Sequence, residues 1–441
     1  MADKKRHNRV IKLKIFPVGE KEVTDLVWKR FHGIRYAAWR AANHIISGQL
    51  LNDELIRRAA ARMKIDLSDA DGRNLVENSV FSKDGLFGTK REATGERDIK
   101  VAFPDLPPCV SNSLKREVYK AYRSDRDSVI RGERSVRMYK SNMAFPVSDP
   151  SVVLSREGDY HRVTWKLARG EALRFGIIYG HRGQNIKEKI GMLIDGEPTI
   201  SKGMSKFQYD RRKKSLFLLL SVKEDQTERS FVSDRIVGVD VGVAVPAMVA
   251  LNDNPERRQS IGTGREVIAT RLQFQRRRRE IARACKFISG GKGRRRKLRP
   301  LDRIADKERR WMQTYNHAVS RAVVDFAIKQ RAGVIKMEDL TGIDDNSNKF
   351  LTRNWSYFEL QTQIESKAIR EGIVVQYVDP YRTSQTCSKC GHWEKGQRKK
   401  QDVFVCGSCG EKLNADHNAA VNISRAVGGK KGQMRRDRSV A

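Results

Sequence analysis

The chain has 441 residues, enough for about three domains of average size, so a single small module is excluded. Lys and Arg number 88 against 53 Asp and Glu, and the formal net charge of +35 predicts a polyanionic partner, nucleic acid before an anionic membrane surface. Hydrophobic residues make up 39% of the chain, which excludes wholesale disorder, and the most apolar stretch, residues 236–251, is too short to span a bilayer.

The N-terminal half is predicted to be a β-domain with a helical lobe inserted into it. Apolar residues alternate with lysines within residues 1–19, which indicates a half-buried strand and no secretory leader, so a cytoplasmic location is expected. Apolar residues at helical spacing dominate residues 20–143. Short β-rich runs then fill residues 144–230, and turn signals such as 157–159 separate them. These runs predict an antiparallel sheet or small barrel that the first strand joins.

The C-terminal half is predicted to be an α/β domain with an insertion. Residues 231–380 begin with a nearly all-apolar strand at 236–243 and then alternate helices with strands. Residues 381–412 contain four cysteines, and residues 413–427 return to a helical pattern. Residues 428–441 are expected to form a flexible basic tail. The whole chain is therefore predicted to be a multidomain α+β protein.

Six cysteines fall into two groups. Two CxxC pairs, separated by fifteen residues, can present four thiolates to one Zn²⁺ ion, and four thiolates leave no open position for catalysis, so the zinc is expected to be structural. Two isolated cysteines are expected to be buried hydrophobic residues. The paired residues are Cys387, Cys390, Cys406 and Cys409, and the isolated ones are Cys109 and Cys285. The basic neighbours of the pairs indicate phosphate contacts or a solvated surface; they are Arg382, Lys389, Lys395, Arg398, Lys399 and Lys400.

Three acidic residues lie at predicted element ends. Asp240 interrupts the apolar strand, Glu338 ends the run VIKME, and Asp416 precedes a helical run. If they converge, they can hold two divalent ions, which is the arrangement that hydrolyses phosphodiesters. Each acid alone is more typical of a surface residue or helix cap; Asp416 fits an N-terminal cap, and Asp339 is a rival to Glu338.

At these residues the chain resembles the split RuvC nuclease core of TnpB proteins and of type V CRISPR effectors. The resemblance rests on GVDVGVAV, IKMEDL, TSQTCSKCGH and LNADHNAAVNI, which occur in the order that this family shows. Compact length and a helical lobe within a β-domain resemble the miniature type V-F effectors in particular. The resemblance implies an RNase H-like fold in which Asp240, Glu338 and Asp416 bind two Mg²⁺ ions and cut DNA. It also implies a guide RNA and a catalytic role for Arg398.

The same resemblance implies names and partners for the predicted segments. Residues 1–19 and 144–230 correspond to a β-barrel-like wedge domain, and residues 20–143 to a helical recognition lobe. The four-cysteine segment corresponds to a zinc ribbon that binds target nucleic acid. The expected target is double-stranded DNA beside a short adjacent motif, and two copies of the protein on one guide RNA are a further expectation.

Two arginine-rich runs in the C-terminal half fit the phosphates of a guide–target heteroduplex, and a solvated helix face fits them as well. The first comprises Arg276, Arg277, Arg278 and Arg279, and the second Arg294, Arg295, Arg296 and Lys297. The glycines at 290–293 between them predict a flexible linker. The six tryptophans are expected mainly in cores, although each is also a candidate for base stacking.

The favoured function is an RNA-guided, magnesium-dependent DNA endonuclease in the cytoplasm of a prokaryote. The first alternative is a transposon-encoded TnpB nuclease, which differs in the origin of its guide. A nuclease-silent RNA-guided binder is a second alternative, which the intact acids disfavour. An unguided RNase H-like recombinase or resolvase is a third, which the large basic N-terminal half disfavours.

Overall fold

The computed structural model describes residues 6–180, 183–226, 229–242, 244–284, 294–340, 357–398, 400, 402–428 and 430–431. The chain divides into a first unit that ends at Asp225 and a second unit that begins at Gln226. Both units combine helices with a β-sheet. Within the described residues, none of the helices has the length and apolar character needed to cross a membrane.

Among its described residues, the first unit consists mainly of an antiparallel sheet and five α-helices. The strand order is β2-β7-β8-β1-β5-β4-β3, with β6 paired to β8, so the N-terminal strand lies inside the sheet as predicted. The strands are Arg6–Pro17 (β1), Phe145–Val147 (β2), Val152–Glu157 (β3), Tyr160–Ala168 (β4), Glu171–Ile178 (β5), Ile200–Lys202 (β6), Ser205–Asp210 (β7) and Ser215–Asp225 (β8). The helices are Lys21–Met63 (α1), Ala70–Val80 (α2), Arg91–Ala102 (α3), Pro108–Ile130 (α4) and Gln184–Ile194 (α5).

The core of the first unit lies between α1 and the sheet. Phe31 of α1 packs edge-on against Trp165 and Phe207, and all three side chains are fully buried. Most of the predicted apolar face of α1 is buried, but Val23 in the first turn is 49% exposed. The predicted turn at 157–159 joins β3 to β4, which pair from Glu157 and Tyr160 onward.

The second unit contains a mixed six-stranded sheet of order β11-β10-β9-β12-β13-β16. The first three strands are antiparallel, β12 and β13 run parallel to β9, and β16 is antiparallel to β13. The strands of this sheet are Val232–Asp240 (β9), Ala247–Leu251 (β10), Arg258–Ile261 (β11), Ala332–Glu338 (β12), Val374–Val378 (β13) and Lys430–Lys431 (β16). A separate two-stranded sheet consists of Val403–Val405 (β14) and Lys412–Asn414 (β15). The helices are Gly264–Ala284 (α6), Arg294–Lys329 (α7), Tyr357–Arg370 (α8) and Ala415–Arg425 (α9).

Helices cover both faces of this sheet. On one face, Val237 and Val239 of β9 share a core with α7 and α8. On the other face, Met248 of β10 packs against Val421 of α9. Gly238 also faces α9, and a Cβ added there would lie 2.0 Å from the carbonyl oxygen of Ala420, so strand and helix backbones meet directly.

Three details of the second unit differ from the sequence-based expectations or lie outside the described residues. The strand expected at 236–243 ends at Asp240, and Val243 is not among the described residues. The expected tail begins with a short strand at Lys430–Lys431, which pairs with β13. Cys285 and the glycine linker at 290–293 also lie outside the described residues.

Candidate active site and cysteine cluster

The three predicted acids meet at one edge of the second sheet. Asp240 and Glu338 are the last residues of β9 and β12, and these strands are parallel neighbours with Met337 opposite Val239. Parallel neighbours end at the same edge of a sheet, so both carboxylates emerge together. Asp416 is the second residue of α9, the helix that packs on β9 and β10.

The electrostatics of Asp240 show that the three acids are close. Burial, together with the charges of Glu338 and Asp416, raises the pKa of Asp240 to about 8, while the charge of Arg398 acts in the opposite direction. Within the described part of the chain, the carboxylate of Asp240 accepts no hydrogen bond and forms no ion pair. The charge of Glu338 acts on Asp240, so these two acidic residues belong to one group.

Arg398 lies beside Asp416. Its Nη2 atom donates to Oδ1 of Asp416 at 2.9 Å, and Asp416 is 5% exposed. Burial raises the pKa of the Asp416 carboxyl group, and the charge and hydrogen bond of Arg398 oppose that rise. The interpretation of Asp416 as the helix cap is wrong, because Asn414 caps α9 by accepting the backbone N–H of His417 at 3.0 Å.

Thr383 is a site residue that the sequence analysis did not identify. Its side chain is 9% exposed, and its hydroxyl donates to Oε1 of Glu338. Burial raises the pKa of Glu338, and this hydrogen bond and Arg398 lower it. Gln361 of α8 donates to the backbone oxygen of Glu338 at 2.8 Å, so the end of β12 is also held from a helix. Thr383 is the first residue of the motif TSQTCSKCGH, which was a signal for the residue, but neither contact could be predicted, because each joins residues that are far apart in the chain.

The four paired cysteines form a compact cluster. Their sulfur atoms all lie within 4.8 Å of one another, with 3.7 Å from Cys387 to Cys409 and 3.6 Å from Cys390 to Cys406. Four thiolates bound at about 2.3 Å around one tetrahedral Zn²⁺ would be separated by about 3.8 Å, so the cluster fits a single ion. Among the described residues, the three carboxylates do not form so tight a group. The fifth described cysteine, Cys109, is half-buried against the core of the first unit.

Helix α9 joins the cysteine segment to the acidic site. Asn418, which is fully buried, donates to the carbonyl oxygen of Thr386 at 2.8 Å and accepts from the backbone N–H of Ser388 at 2.9 Å. Asn422, one turn later, donates to the carbonyl oxygens of Thr383 and Thr386 at 2.8 and 2.7 Å. The first cysteine turn and the helix that carries Asp416 are therefore fixed to each other.

The opposite end of α9 is fixed from the central strand. Lys336 of β12 is 7% exposed, and its Nζ atom donates to the carbonyl oxygen of Ala426 at 2.7 Å. A cation at the C-terminus of a helix also interacts favourably with the helix dipole. Lys336 lies two residues before Glu338 on the same strand, so one strand positions both Glu338 and the helix of Asp416.

The predicted basic residues have different surroundings. Arg276, Arg277 and Arg279 of α6 are exposed, whereas Arg278 is paired with Glu308 of α7 at 2.8 Å. Arg296 is exposed, and the side chains of Arg294, Arg295 and Lys297 are outside the described part of the chain, as is Lys399. In the cysteine segment, Lys389 is paired with Glu411 at 2.6 Å. The proposed phosphate-binding runs are therefore partly committed to ion pairs within the protein.

Comparisons with known proteins bear on this site. Residues 357–423, which contain the cysteines, Thr383, Arg398 and Asp416, match the family model described as Cas12f1-like, TNB domain. Over 330 residues the chain is 34% identical to the CRISPR-associated endodeoxyribonuclease Cas12f1 of Sulfoacidibacillus thermotolerans, and the match covers 71% of this chain and 76% of that relative. The chain belongs to the Cas12f1 family.

Two further comparisons concern a TnpB-like protein and a solved structure. A TnpB-like protein of Methanocaldococcus jannaschii is 33% identical over 129 residues, which cover 28% of this chain and 45% of that protein. A solved cryo-EM structure of a Cas12f1-sgRNA-target DNA complex matches with a TM-score of 0.69 and 19% identity, over 95% of this chain and 99% of that one. This likeness supports the multidomain α+β fold, and the sequence match extends much further for the Cas12f1 relative than for the TnpB-like protein.

Proposed function

We propose that this protein is an RNA-guided DNA endonuclease of the compact type V-F class, with one magnesium-dependent site at Asp240, Glu338 and Asp416. One observation carries the proposal: three acids from two parallel strand ends and one helix meet, and the carboxylate of Asp240 has a raised pKa and no hydrogen-bond partner within the described chain. The Cas12f1 relative, an endodeoxyribonuclease by name, supports the choice of DNA as substrate.

The topology of the second unit supports an RNase H-like, RuvC-type nuclease fold. Three antiparallel strands lead into two strands parallel to the first, in the order β11-β10-β9-β12-β13, and helices cover both faces. The residues between β13 and α9 hold the cysteine cluster as an insertion before the last acidic element. We place the nuclease core at 231–380 and 413–427 and the ribbon at 381–412.

The donor set fits Mg²⁺. All three side chains offer carboxylate oxygens, the ligand type that Mg²⁺ prefers, and burial together with the charges of the other two acids raises the pKa of Asp240. Bound there, Mg²⁺ would lower the pKa of water and stabilise the charge that develops on the scissile phosphate. Asp240, Glu338 and Asp416 would hold it, and one carboxylate oxygen of Asp416 is shared with Arg398.

Arg398 and Thr383 each donate a hydrogen bond to one of these acidic residues. Arg398 neutralises Asp416 in the metal-free site and keeps a guanidinium group beside the proposed position of the phosphate, where its positive charge favours the negatively charged substrate. Thr383 fixes one oxygen of Glu338, so the other stays free to face the ligand position. Both residues come from the segment 381–412, so that segment completes the site.

The cysteine cluster is proposed to bind one structural zinc ion. Four sulfur ligands leave no open position for a substrate, so the role of the metal is to fold the ribbon that carries Thr383 and Arg398. Metal analysis of the purified protein is expected to give about one zinc per chain. Loss of zinc from Cys387→Ser or Cys409→Ser, with the cleavage rate reduced, would support this role.

The proposed partners are a guide RNA and double-stranded target DNA beside a short adjacent motif, in the cytoplasm of a prokaryote. The net charge of +35 supplies the affinity for polyanions, and residues 1–19, 20–143 and 144–230 are proposed as wedge and recognition segments. Two copies of the protein on one guide RNA remain a proposal. The principal alternative, a TnpB nuclease with a guide from a transposon end, matches a shorter part of the chain.

The experiment is to express the protein with its native flanking DNA, purify it, and sequence the RNA that copurifies. A structured RNA that ends in variable spacers would support the CRISPR effector, and one that ends beside a mobile element would support TnpB. Random RNA or none would favour the unguided nuclease. The RNA complex should then cut matching DNA with Mg²⁺, and Asp240→Ala should abolish the cut while RNA binding is kept; uncut DNA with the wild type would favour the nuclease-silent binder.

A further inference from the structure

The cysteine segment exposes two aromatic rings that both contact one arginine. The guanidinium of Arg382 lies 3.6 Å from the ring centre of Trp393 and 4.6 Å from that of Tyr381. Tyr381 is 68% exposed and Trp393 is 41% exposed. They are the two exposed residues among the Phe, Tyr and Trp side chains that the structure describes in the second unit. We call Tyr381, Arg382 and Trp393 the aromatic ledge.

The backbone holds the ledge in place. Arg382 has a φ of 64°, in the left-handed region that residues other than glycine rarely adopt, and such a conformation persists where surrounding contacts fix it. Its carbonyl oxygen accepts hydrogen bonds from the backbone N–H groups of Gln385 and Thr386, both at 3.1 Å. Thr386 in turn forms a β-bridge with Trp393, so Arg382 and Trp393 are tied to the same turn.

The ledge lies next to the acidic site. Thr383, whose hydroxyl donates to Glu338, directly follows Arg382 and comes two residues after Tyr381. Two residues of extended chain span at most about 7 Å, so the Cα atoms of Tyr381 and Thr383 lie within that distance of each other. A nucleic acid strand whose phosphate reaches Glu338 would therefore place a neighbouring nucleotide at the ledge.

The chemistry of the ledge suits an unpaired nucleotide. Aromatic rings bind bases by stacking, and every base has a face that can stack, so such contacts tolerate any sequence. The guanidinium of Arg382 has no ion-pair or hydrogen-bond partner among the described side chains, so its charge can pair with a phosphate. In a duplex both faces of a base are covered by its neighbours, so the ledge selects single strands.

We propose that Tyr381, Arg382 and Trp393 form a stacking site for one base of single-stranded DNA beside the nuclease centre. This inference rests on the proposed function, because it assigns the ledge to the strand that enters that centre. The ledge holds the strand after the duplex has opened and sets which phosphate faces Glu338. A surface stack that stabilises the ribbon alone is the competing explanation, and the test separates the two.

The test measures binding of the full-length protein to a short oligothymidylate that contains one 2-aminopurine, with Ca²⁺ in place of Mg²⁺. Stacking on an aromatic ring quenches 2-aminopurine fluorescence, whereas contacts to phosphates alone do not. We expect Trp393→Leu to abolish the quenching and weaken binding roughly five- to hundredfold, whereas Trp393→Phe keeps binding within about threefold. Binding of the same sequence as a duplex should change little in either variant.

Controls separate stacking from folding. Tyr160→Leu removes a 76% exposed aromatic side chain from the first unit and should leave quenching unchanged. Zinc content and melting temperature are measured for each variant; if Trp393→Leu loses zinc, Tyr381→Leu becomes the decisive variant with the same expected loss. Unchanged quenching in the Leu variants, or equal losses for single strand and duplex, would overturn the proposal. Because the experiment contains no cleavage step, failure of the proposed nuclease function would instead appear as absent guided cleavage by the wild type with Mg²⁺.

Discussion

Asp240 is the residue on which burial and charge act most strongly in the acidic site. Its folded-state pKa of about 8 lies well above the value of about 3.9 for an unfolded aspartate. Between these values the folded protein retains a proton that the unfolded chain has released. Stability of the metal-free protein therefore falls as pH rises through this window, and above pH 8 the full cost of the charged carboxylate is present.

We predict that Asp240→Asn raises the melting temperature of the metal-free protein at pH 9. The amide removes the buried charge, so the gain should be about 2 °C or more, the effect of roughly 1 kcal/mol in a domain of this size. The gain should shrink toward pH 4, where the wild-type carboxyl group is protonated in the folded state and about half protonated in the unfolded state. Scanning calorimetry at pH 4, 6 and 9 checks this, and a gain that does not vary with pH would contradict it. Added Mg²⁺ should stabilise the wild type at pH 9 more than the variant.

Thr383 gives a second prediction at the same scale. Thr383→Val keeps the shape of the side chain but removes the hydroxyl that donates to Glu338. A hydrogen bond to a charged group contributes about 1.5–3 kcal/mol, so we expect cleavage roughly ten- to hundredfold slower at limiting Mg²⁺, with a higher Mg²⁺ concentration needed for half-maximal rate. Thr383→Ser retains the hydroxyl, so its cleavage rate and its Mg²⁺ concentration for half-maximal rate should both be close to those of the wild type. Equal rates for the Val variant and the wild type across a Mg²⁺ titration would exclude a positioning role.

At the scale of elements, the contact between β9 and α9 fixes the distance between Asp240 and Asp416. Gly238 lies two residues before Asp240, and Ala420 lies one turn after Asp416, with room for a hydrogen but not a methyl group between them. An added Cβ would also lie 2.5 Å from the backbone nitrogen of Ser424. Backbone cannot move aside as a flexible side chain can, so the helix must shift away from the strand.

We predict that Gly238→Ala lowers stability by about 1–3 kcal/mol, the usual cost of overpacking a core, and reduces cleavage because Asp416 is displaced from Asp240. Gly48→Ala is the matched control: Gly48 lies within α1, nothing lies within 4 Å of an added Cβ, and alanine favours the helix by up to about 1 kcal/mol. Urea denaturation should show a lower free energy of unfolding for Gly238→Ala and a higher one for Gly48→Ala, each relative to the wild type. A Gly238→Ala protein as stable and active as the wild type would show that α9 can shift without cost.

Local sequence patterns predict helices, strands and buried acids, but they do not predict contacts between residues that are far apart in the chain. The alternation in β1 and the helical spacing in α1 are local, so both elements could be predicted from residue order alone. The acids could be found because a carboxylate at the end of an apolar strand is costly without a partner. Thr383 and Asn418 gave no such signal, since their partners lie 45 and 32 residues away in the chain and only the folded topology brings them together.

At the scale of the whole molecule, 88 basic residues against 53 acidic ones leave a net charge that the protein alone cannot neutralise. Many arginines are paired internally, such as Arg126 with Asp53 at 2.7 Å and Arg278 with Glu308 at 2.8 Å. Even if every acid were paired in this way, the excess cations would still repel one another. Such self-repulsion destabilises a compact state, and a bound polyanion or dissolved salt relieves it.

We therefore predict that the RNA-free protein melts at a temperature that rises with NaCl concentration between 0.1 and 0.5 M, since the Debye length falls from about 10 Å toward 4 Å over that range. Bound guide RNA should raise the melting temperature at low salt by more than salt does, because it also stabilises by mass action. RNase treatment of the complex at low salt should reverse the gain. Differential scanning fluorimetry before and after RNase provides the measurement, with non-cognate RNA of equal length as control. If non-cognate RNA stabilised the protein as strongly as the copurified RNA, charge neutralisation alone would account for binding, and the shape of the guide would contribute nothing.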